Sequence, residues 1–298
     1  MHAFEYQAPT KLADALALLA QHHGAAKPLA GGTDLIDQMR TGRYSPSLIV
    51  DIKKLDELNV LAVADSGLRI GAAVPCHRIK SNVQIQQDYA ALYDSSQIIG
   101  GWQIQSRASL GGNLCNSGPA GDSIPSMMVL GGACVIAGSN GQREIPVEQF
   151  CTGPGKNVLQ PGELLVEIRF PRPVARTGSH YRRMIPRNEM DIAVVGVAAC
   201  VTLNESGDQF ADAKIGLAAV APTPLLATKV SEAIVGQPVN DTTMQNAAEV
   251  AKSIVKPITD MRGTAEYRSH VTGVLVKRVL QAAVVRAKGE ILDYVPGH

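Results

Sequence analysis

The chain is 298 residues long with 45% hydrophobic and 18% charged residues, enough for two domains and a sizeable core. Lys and Arg (28) nearly match Asp and Glu (27), and a net charge of +1 with only 4% aromatic residues leaves no basic footprint for nucleic acid or anionic membrane. The start, Met1-His-Ala-Phe-Glu-Tyr6, lacks the basic-then-apolar pattern of a signal peptide, and no run of about 20 apolar residues offers a membrane span, so a cytoplasmic location is expected.

Thr10 can cap a helix running to about His23, with Leu12, Ala15, Leu16 and Leu19 as its apolar stripe and Gly24 as its stop. Leu29 leads into a glycine segment, Ala30-Gly31-Gly32-Thr33-Asp34-Leu35, read as a loop. Leu48–Ile52 and Leu68–Val74 read as strands, with Gly71 marking a close backbone approach. The residues from there to Gly101 read as mainly helical. A second and longer glycine segment, Ser109–Asp122, packs four glycines, two asparagines and an aspartate into 14 residues and reads as a loop, not a packed helix. A short helix follows over Ile124–Leu130, its N-terminus facing the segment.

Ala133–Ala137, Ser139-Asn-Gly141 and Glu144–Pro146 read as strand, turn and strand, and Leu164–Phe170 as a further strand. Pro171-Arg-Pro173 breaks the ladder and marks a domain boundary. Beyond it lie two apolar strands, Ile192–Leu203 and Ala213–Ala221, joined by the turn Asn204–Gly207. Two helices close the chain. One carries Met244, Ala247, Ala248, Ala251 and Ile254 on one face and stops at Pro257; the other runs from about Thr264 to Lys288. Strands followed by helices predict an antiparallel sheet covered on one face. The charge run Arg182-Arg183…Arg187 fits a solvated face or a cation site for a phosphate or flavin.

Glycines let a backbone approach a ligand closely, and exposed N–H groups in such segments form an anion-binding concavity. Two of them in one chain suit a pyrophosphate held from two sides. Neither matches the G-x-G-x-x-G fingerprint or the P-loop with its Gly-Lys-Ser/Thr, which argues against a Rossmann oxidoreductase or an NTPase. Cys76, Cys115, Cys134, Cys151 and Cys200 lie no closer than 17 residues apart, and the histidines have no ligand spacing, so no local zinc or iron–sulfur site is expected. The cysteines read as free, mostly buried thiols; Cys115, within the second segment, is the one placed to face a ligand. No nucleophile, base and orienting partner come together, and no catalytic side chain is expected.

Pro28-Leu-Ala-Gly-Gly-Thr-Asp-Leu35 and Ala108-Ser-Leu-Gly-Gly-Asn-Leu114 closely resemble the two flavin-binding motifs of the molybdenum hydroxylase flavoproteins, the FAD-carrying medium subunits of carbon monoxide, xanthine, nicotine and aldehyde dehydrogenases. Pro161–Ile168, Arg187–Ala193 with its Asp191-Ile-Ala193, and Asp260–Arg268 fit the same family, so the resemblance covers essentially the whole chain. It implies an α+β fold. A PCMH-type (vanillyl-alcohol-oxidase-like) FAD-binding domain of two subdomains would span residues 1–172, split at about 57/58. A C-terminal domain of antiparallel sheet plus helices would span 176–290.

By position, the resemblance implies that Leu29, Ala30, Gly31, Gly32, Thr33, Asp34 and Leu35, with Ser109, Leu110, Gly111, Gly112 and Asn113, line the cofactor. Ile99 and Gly100 match contacts just before the second motif. Asn116 and Asp122 match polar positions near the diphosphate and sugar, Leu165 an apolar position, and Arg182 a basic position near the flavin end. The implied function is electron relay: molybdenum–pterin on a large partner subunit, [2Fe–2S] clusters on a small one, and FAD here passing electrons to an external acceptor. The implied assembly is a heterotrimer, a unit that also allows a dimer of heterotrimers. Gly-Gly-Thr-Asp stands where carbon monoxide dehydrogenases favour Gly-Gly-His-Ser, which points away from that substrate. A self-sufficient FAD-dependent oxidoreductase and a non-catalytic FAD- or nucleotide-binding scaffold are the alternative readings.

Overall fold

The structure is a computed structural model describing residues 2–22 and 24–292. Three short strands, β1 (Glu5–Gln7), β2 (Ala26–Leu29) and β3 (Leu48–Asp51), form a parallel sheet in the order β1-β3-β2. Helices α1 (Leu12–Gln21) and α2 (Leu35–Arg40) make the two crossovers. Ala15 and Leu19 bury the inner face of α1, as the periodicity requires. The N-cap, however, is Lys11 without a side-chain bond, so Thr10 does not cap the helix. His23, its expected end, lies outside the described residues.

Next come β4 (Leu61–Ala64), β5 (Gly67–Gly71), β6 (Ala133–Gly138), β7 (Gly141–Pro146), a small hairpin of β8 (Cys151–Gly153) and β9 (Lys156–Asn157), and β10 (Leu164–Phe170). The five longer ones form an antiparallel sheet in the order β4-β5-β10-β6-β7. Gly71 is a close approach as expected: a Cβ there would lie 2.3 Å from the Leu58 carbonyl. Between β5 and β6 run α3 (Cys76–Lys80), α4 (Val83–Asp88), α5 (Ala90–Ile98), α6 (Trp102–Gln105), α7 (Leu110–Asn116) and α8 (Ser123–Val129).

The presence of α7 corrects the sequence expectation, because half of the second glycine segment is a packed helix. Gly111 and Gly112 each cost about 1 kcal/mol relative to alanine in a helix. Burying Leu110 and Leu114, both fully inaccessible, returns about 1.5–3 kcal/mol apiece. Ser109 adds an N-cap, its Oγ accepting from the Gly112 N–H at 3.0 Å. Tertiary packing therefore outweighs the local propensity.

The third sheet is antiparallel, β11 (Thr177–Met184), β12 (Val195–Leu203), β13 (Phe210–Ala218) and β14 (Leu225–Leu226) in that order. Helices α9 (Thr228–Ile234), α10 (Asp241–Ile254) and α11 (Ala265–Ala287) follow. Caps define the two long ones: Asn240 accepts from the Thr243 N–H at 2.9 Å and Thr264 from the Tyr267 N–H at 3.1 Å. The sequence did not suggest β11, whose charge run read as a solvated face or a cation site and not as a strand. Val195, Val197, Ala199, Val201 and Leu203 join the core under α10 and α11, while Ala198 and Tyr181 join the core of the preceding region. The third sheet is thus covered on both faces, which explains the unbroken apolar run of β12. Among the described residues no helix is long and apolar enough to cross a membrane.

Candidate functional site

The first glycine segment leaves the C-terminal end of β2 and enters α2. Gly32 has φ +77°, a left-handed conformation in which a side chain would also strike Leu29 and Ile36. Among the described residues, the N–H groups of Gly31, Gly32, Thr33 and Asp34 reach no protein acceptor. The second segment begins at Ser109 and its first helical turn likewise leaves the Gly111 N–H without an acceptor. Helix starts and glycine turns of this kind present positive backbone dipoles to an anion.

The two segments meet. A Cβ on Gly31 would lie 2.0 Å from the Arg107 carbonyl oxygen and 3.0 Å from the Ala108 nitrogen, so only glycine lets the backbones come this close. Asn116 ties them by side chains: its Nδ2 donates to Asp34 Oδ1 at 3.2 Å, and its Oδ1 accepts from Gln38 Nε2 at 3.0 Å. The glycines of α7 divide the work. A Cβ on Gly111 would fall 2.4 Å from the Ala72 carbonyl oxygen, so this residue packs the helix onto the chain just past β5. A Cβ on Gly112 would meet only Ser109 Oγ, at 3.1 Å, and otherwise enters open space. A cradle with unpartnered N–H groups and one open glycine face fits a dinucleotide pyrophosphate.

The remaining predicted residues have the following surroundings. Leu165 is buried at a β-bulge of β10, beside the Val166 carbonyl that accepts from the Ala72 N–H. Ile99 and Gly100 follow α5, with Gly100 at φ +57° and close-packed on Ile104. Asn113 accepts from Ser123 Oγ at 2.7 Å, fixing the start of α8. Asp122 is buried at 9% exposure with both oxygens engaged: Tyr181 Oη donates to Oδ1 at 2.7 Å and Arg183 Nη1 to Oδ2 at 2.6 Å. Burial raises the Asp122 pKa even against the Arg183 charge. Asp34 is exposed as a residue, yet desolvation of its carboxyl, followed by the Asp37 charge, raises its pKa as well.

Arg182 is half-buried on β11, and Arg183, on the opposite face of the pleat, is the basic residue that reaches Asp122. Sequence reasoning placed Arg183 in a charge run without its Asp122 partner and missed Tyr181; the signal would have been a Tyr and an Arg spaced two apart on one strand face. Cys115 is partly buried on α7, and burial pushes its thiol up to about 12, which favours the protonated form. Cys76 and Cys200 are likewise pushed up to about 12 by burial. Among the described residues no group of three His, Cys, Asp or Glu side chains could hold a metal ion.

Comparison with known proteins shows the family. Residues 2–173 match the FAD binding domain in molybdopterin dehydrogenase, and residues 180–283 match the CO dehydrogenase flavoprotein C-terminal domain. The chain is 33% identical over 286 residues to the carbon monoxide dehydrogenase medium chain of Afipia carboxidovorans, covering 96% of this chain and 98% of the relative. It is 33% identical over 288 residues to the xanthine dehydrogenase FAD-binding subunit of Escherichia coli O157:H7, covering 96% and 98%. Its fold superimposes on a chain of the Cu,Mo-CO dehydrogenase with a TM-score of 0.91 at 31% identity, covering 96% and 99%. On a chain of quinoline 2-oxidoreductase from Pseudomonas putida 86 the TM-score is 0.89 at 26% identity, covering 96% and 98%. The chain belongs to the FAD-binding medium subunits of the molybdenum-dependent dehydrogenases.

Proposed function

We propose that the FAD pyrophosphate lies between the two glycine segments, with the unpartnered N–H groups of Gly31 to Asp34 and of Gly111 as its donors. The observation that carries this reading is the contact of the segments through Gly31 and Asn116, beside the open face of Gly112. Leu29 to Leu35 and Ser109 to Asn113 would line the cofactor, with Ile99, Gly100, Asn116, Asp122, Leu165 and Arg182 around it. Residues 1–172 would act as the FAD-binding domain and 176–290 as the C-terminal domain.

FAD supplies redox chemistry that accepts electrons one at a time and releases them singly or in pairs. The protein's part is to bind, orient and electrically tune it. In the assembly we infer, this chain joins a large molybdenum–pterin subunit and a small subunit with two [2Fe–2S] clusters in a cytoplasmic heterotrimer. Held by the residues named above, the FAD would supply the relay between those clusters and an external acceptor. Purification of the native complex tests this. FAD, molybdenum and iron should elute together with two further polypeptides. Full substrate turnover by the isolated chain, or a complex without iron, would refute the relay.

A further inference from the structure

Three segments around the proposed FAD cleft converge on one side chain. Arg183 projects from β11 and is only 9% exposed. Its Nη1 donates to Asp122 Oδ2 at 2.6 Å and to the Asp191 carbonyl at 3.3 Å, and its Nη2 donates to the Ile98 carbonyl at 2.8 Å. Asp122 closes the second glycine segment. Ile98 ends α5 and leads directly into Ile99 and the left-handed Gly100. Asp191 lies in the connection between β11 and β12. Tyr181, on the same strand face, holds the other oxygen of Asp122 at 2.7 Å.

These segments are far apart in sequence and no backbone ladder joins them at this point. The planar guanidinium, with donors in a fixed fork, spans all three acceptors at once. Without these bonds the buried Asp122 carboxylate keeps only its Tyr181 donor, and the part-buried Ile98 and Asp191 carbonyls each lose a donor.

We infer that Arg183 is a positioning residue for the flavin: through Asp122 and the Ile98 carbonyl it sets the spacing between the second glycine segment and the Gly100 turn, with Tyr181 as a second support. This rests on the proposed placement of FAD between the glycine segments. Arg183 itself is assigned no bond to the cofactor; its effect passes through the residues it holds.

The test uses the full-length chain stripped of flavin and titrated with FAD. Arg183→Met combined with Asp122→Asn removes both charges together, so no buried ion is left alone and the fold should persist. We expect its unliganded melting temperature to stay near that of the parent, FAD affinity to fall at least about tenfold, and the visible circular dichroism of the bound flavin to change. Arg183→Gln, which keeps donors but cannot reach all the acceptors, provides a second reading, with a loss of at least about threefold. Arg183→Lys, added back as the conservative variant, should recover part of the affinity. A folded Arg183→Gln or double variant that binds FAD within about twofold of the parent, with unchanged visible dichroism, overturns the inference. Failure of the parent chain itself to take up FAD would instead overturn the proposed function.

Discussion

The adjacent glycines of α7 should respond in opposite ways to the same substitution. In Gly111→Ala the new methyl meets the Ala72 carbonyl oxygen at 2.4 Å and Ala72 Cα and Cβ at 2.6 Å, all fixed to backbone that cannot swing aside. Overpacking of this kind costs about 1–3 kcal/mol, and rigid neighbours place it at the upper end. Helix propensity returns about 1 kcal/mol. The net loss of about 2 kcal/mol corresponds to a fall of about 4–8 °C in melting temperature for a protein of this size. In Gly112→Ala the methyl meets only Ser109 Oγ at 3.1 Å, so the helix-propensity gain is largely kept and the flavin-free protein should melt no lower than the parent. Its methyl stands on the open face of the cleft, and FAD affinity should drop at least about tenfold. Melting curves followed by circular dichroism without FAD, paired with FAD titrations, separate the two effects. Parental FAD affinity in Gly112→Ala, or parental melting in Gly111→Ala, would refute this division of roles.

Other outcomes follow from the polar contacts. Asn116→Ala removes the side-chain tie between the glycine segments, and because these groups are partly exposed the loss should be about 1 kcal/mol, a roughly fivefold weaker FAD affinity with little change in melting. Asp94 on α5 is fully buried, at 2.7 Å from His180 Nδ1 and bonded by Arg286 at 2.6 and 2.9 Å. Burial pushes its carboxyl up, but the bonds and charges of His180 and Arg286 outweigh that and hold it below the usual carboxylate range. The unfolded chain therefore binds this proton more readily, so the contribution of Asp94 is complete above a pH of about 4 and is lost as pH falls through the lower folded value. Acid unfolding should be less steep in Asp94→Asn than in the parent; an unchanged acid limb would contradict this. Arg268→Met strands the Val194 and Ala219 carbonyls, which its Nη1 reaches at 2.6 and 3.2 Å, and should lower stability by about 3 kcal/mol on chemical denaturation.

The glycine pairs and the two long capped helices were legible because their signals are local: φ preferences at Gly32, a 3.6-residue stripe ending at Ile254, and Thr264 three residues ahead of Tyr267. The resemblance of two short motifs was enough to indicate the cofactor. What was hidden depends on distant partners. β11 looks solvated from its own composition. It is buried because Asp122 and Asp94, 61 and 87 residues before their partners on this strand, and Arg286, 107 residues after Ser179, satisfy its polar groups. The helix α7 was hidden for the same kind of reason. Its glycines speak against it, and the burial of Leu110 and Leu114 that overrides them is invisible until the sheet is in place.

The third sheet shares its side chains between two cores, and this bears on how the chain can be cut and recombined. Cleavage at Pro171–Pro173 would strip Tyr181 and Ala198 from the core that α5 and α8 help to build. It would also remove the Tyr181 and Arg183 donors from Asp122. An excised N-terminal fragment would expose apolar helix faces and aggregate, whatever the quality of its glycine segments. Chimeras that exchange C-terminal halves between related medium subunits should fold only when α5 and α8 are exchanged with the sheet they cover. The unit that must be moved intact is a packed surface, and its edges fall inside the sequence segments that a linear boundary would keep apart.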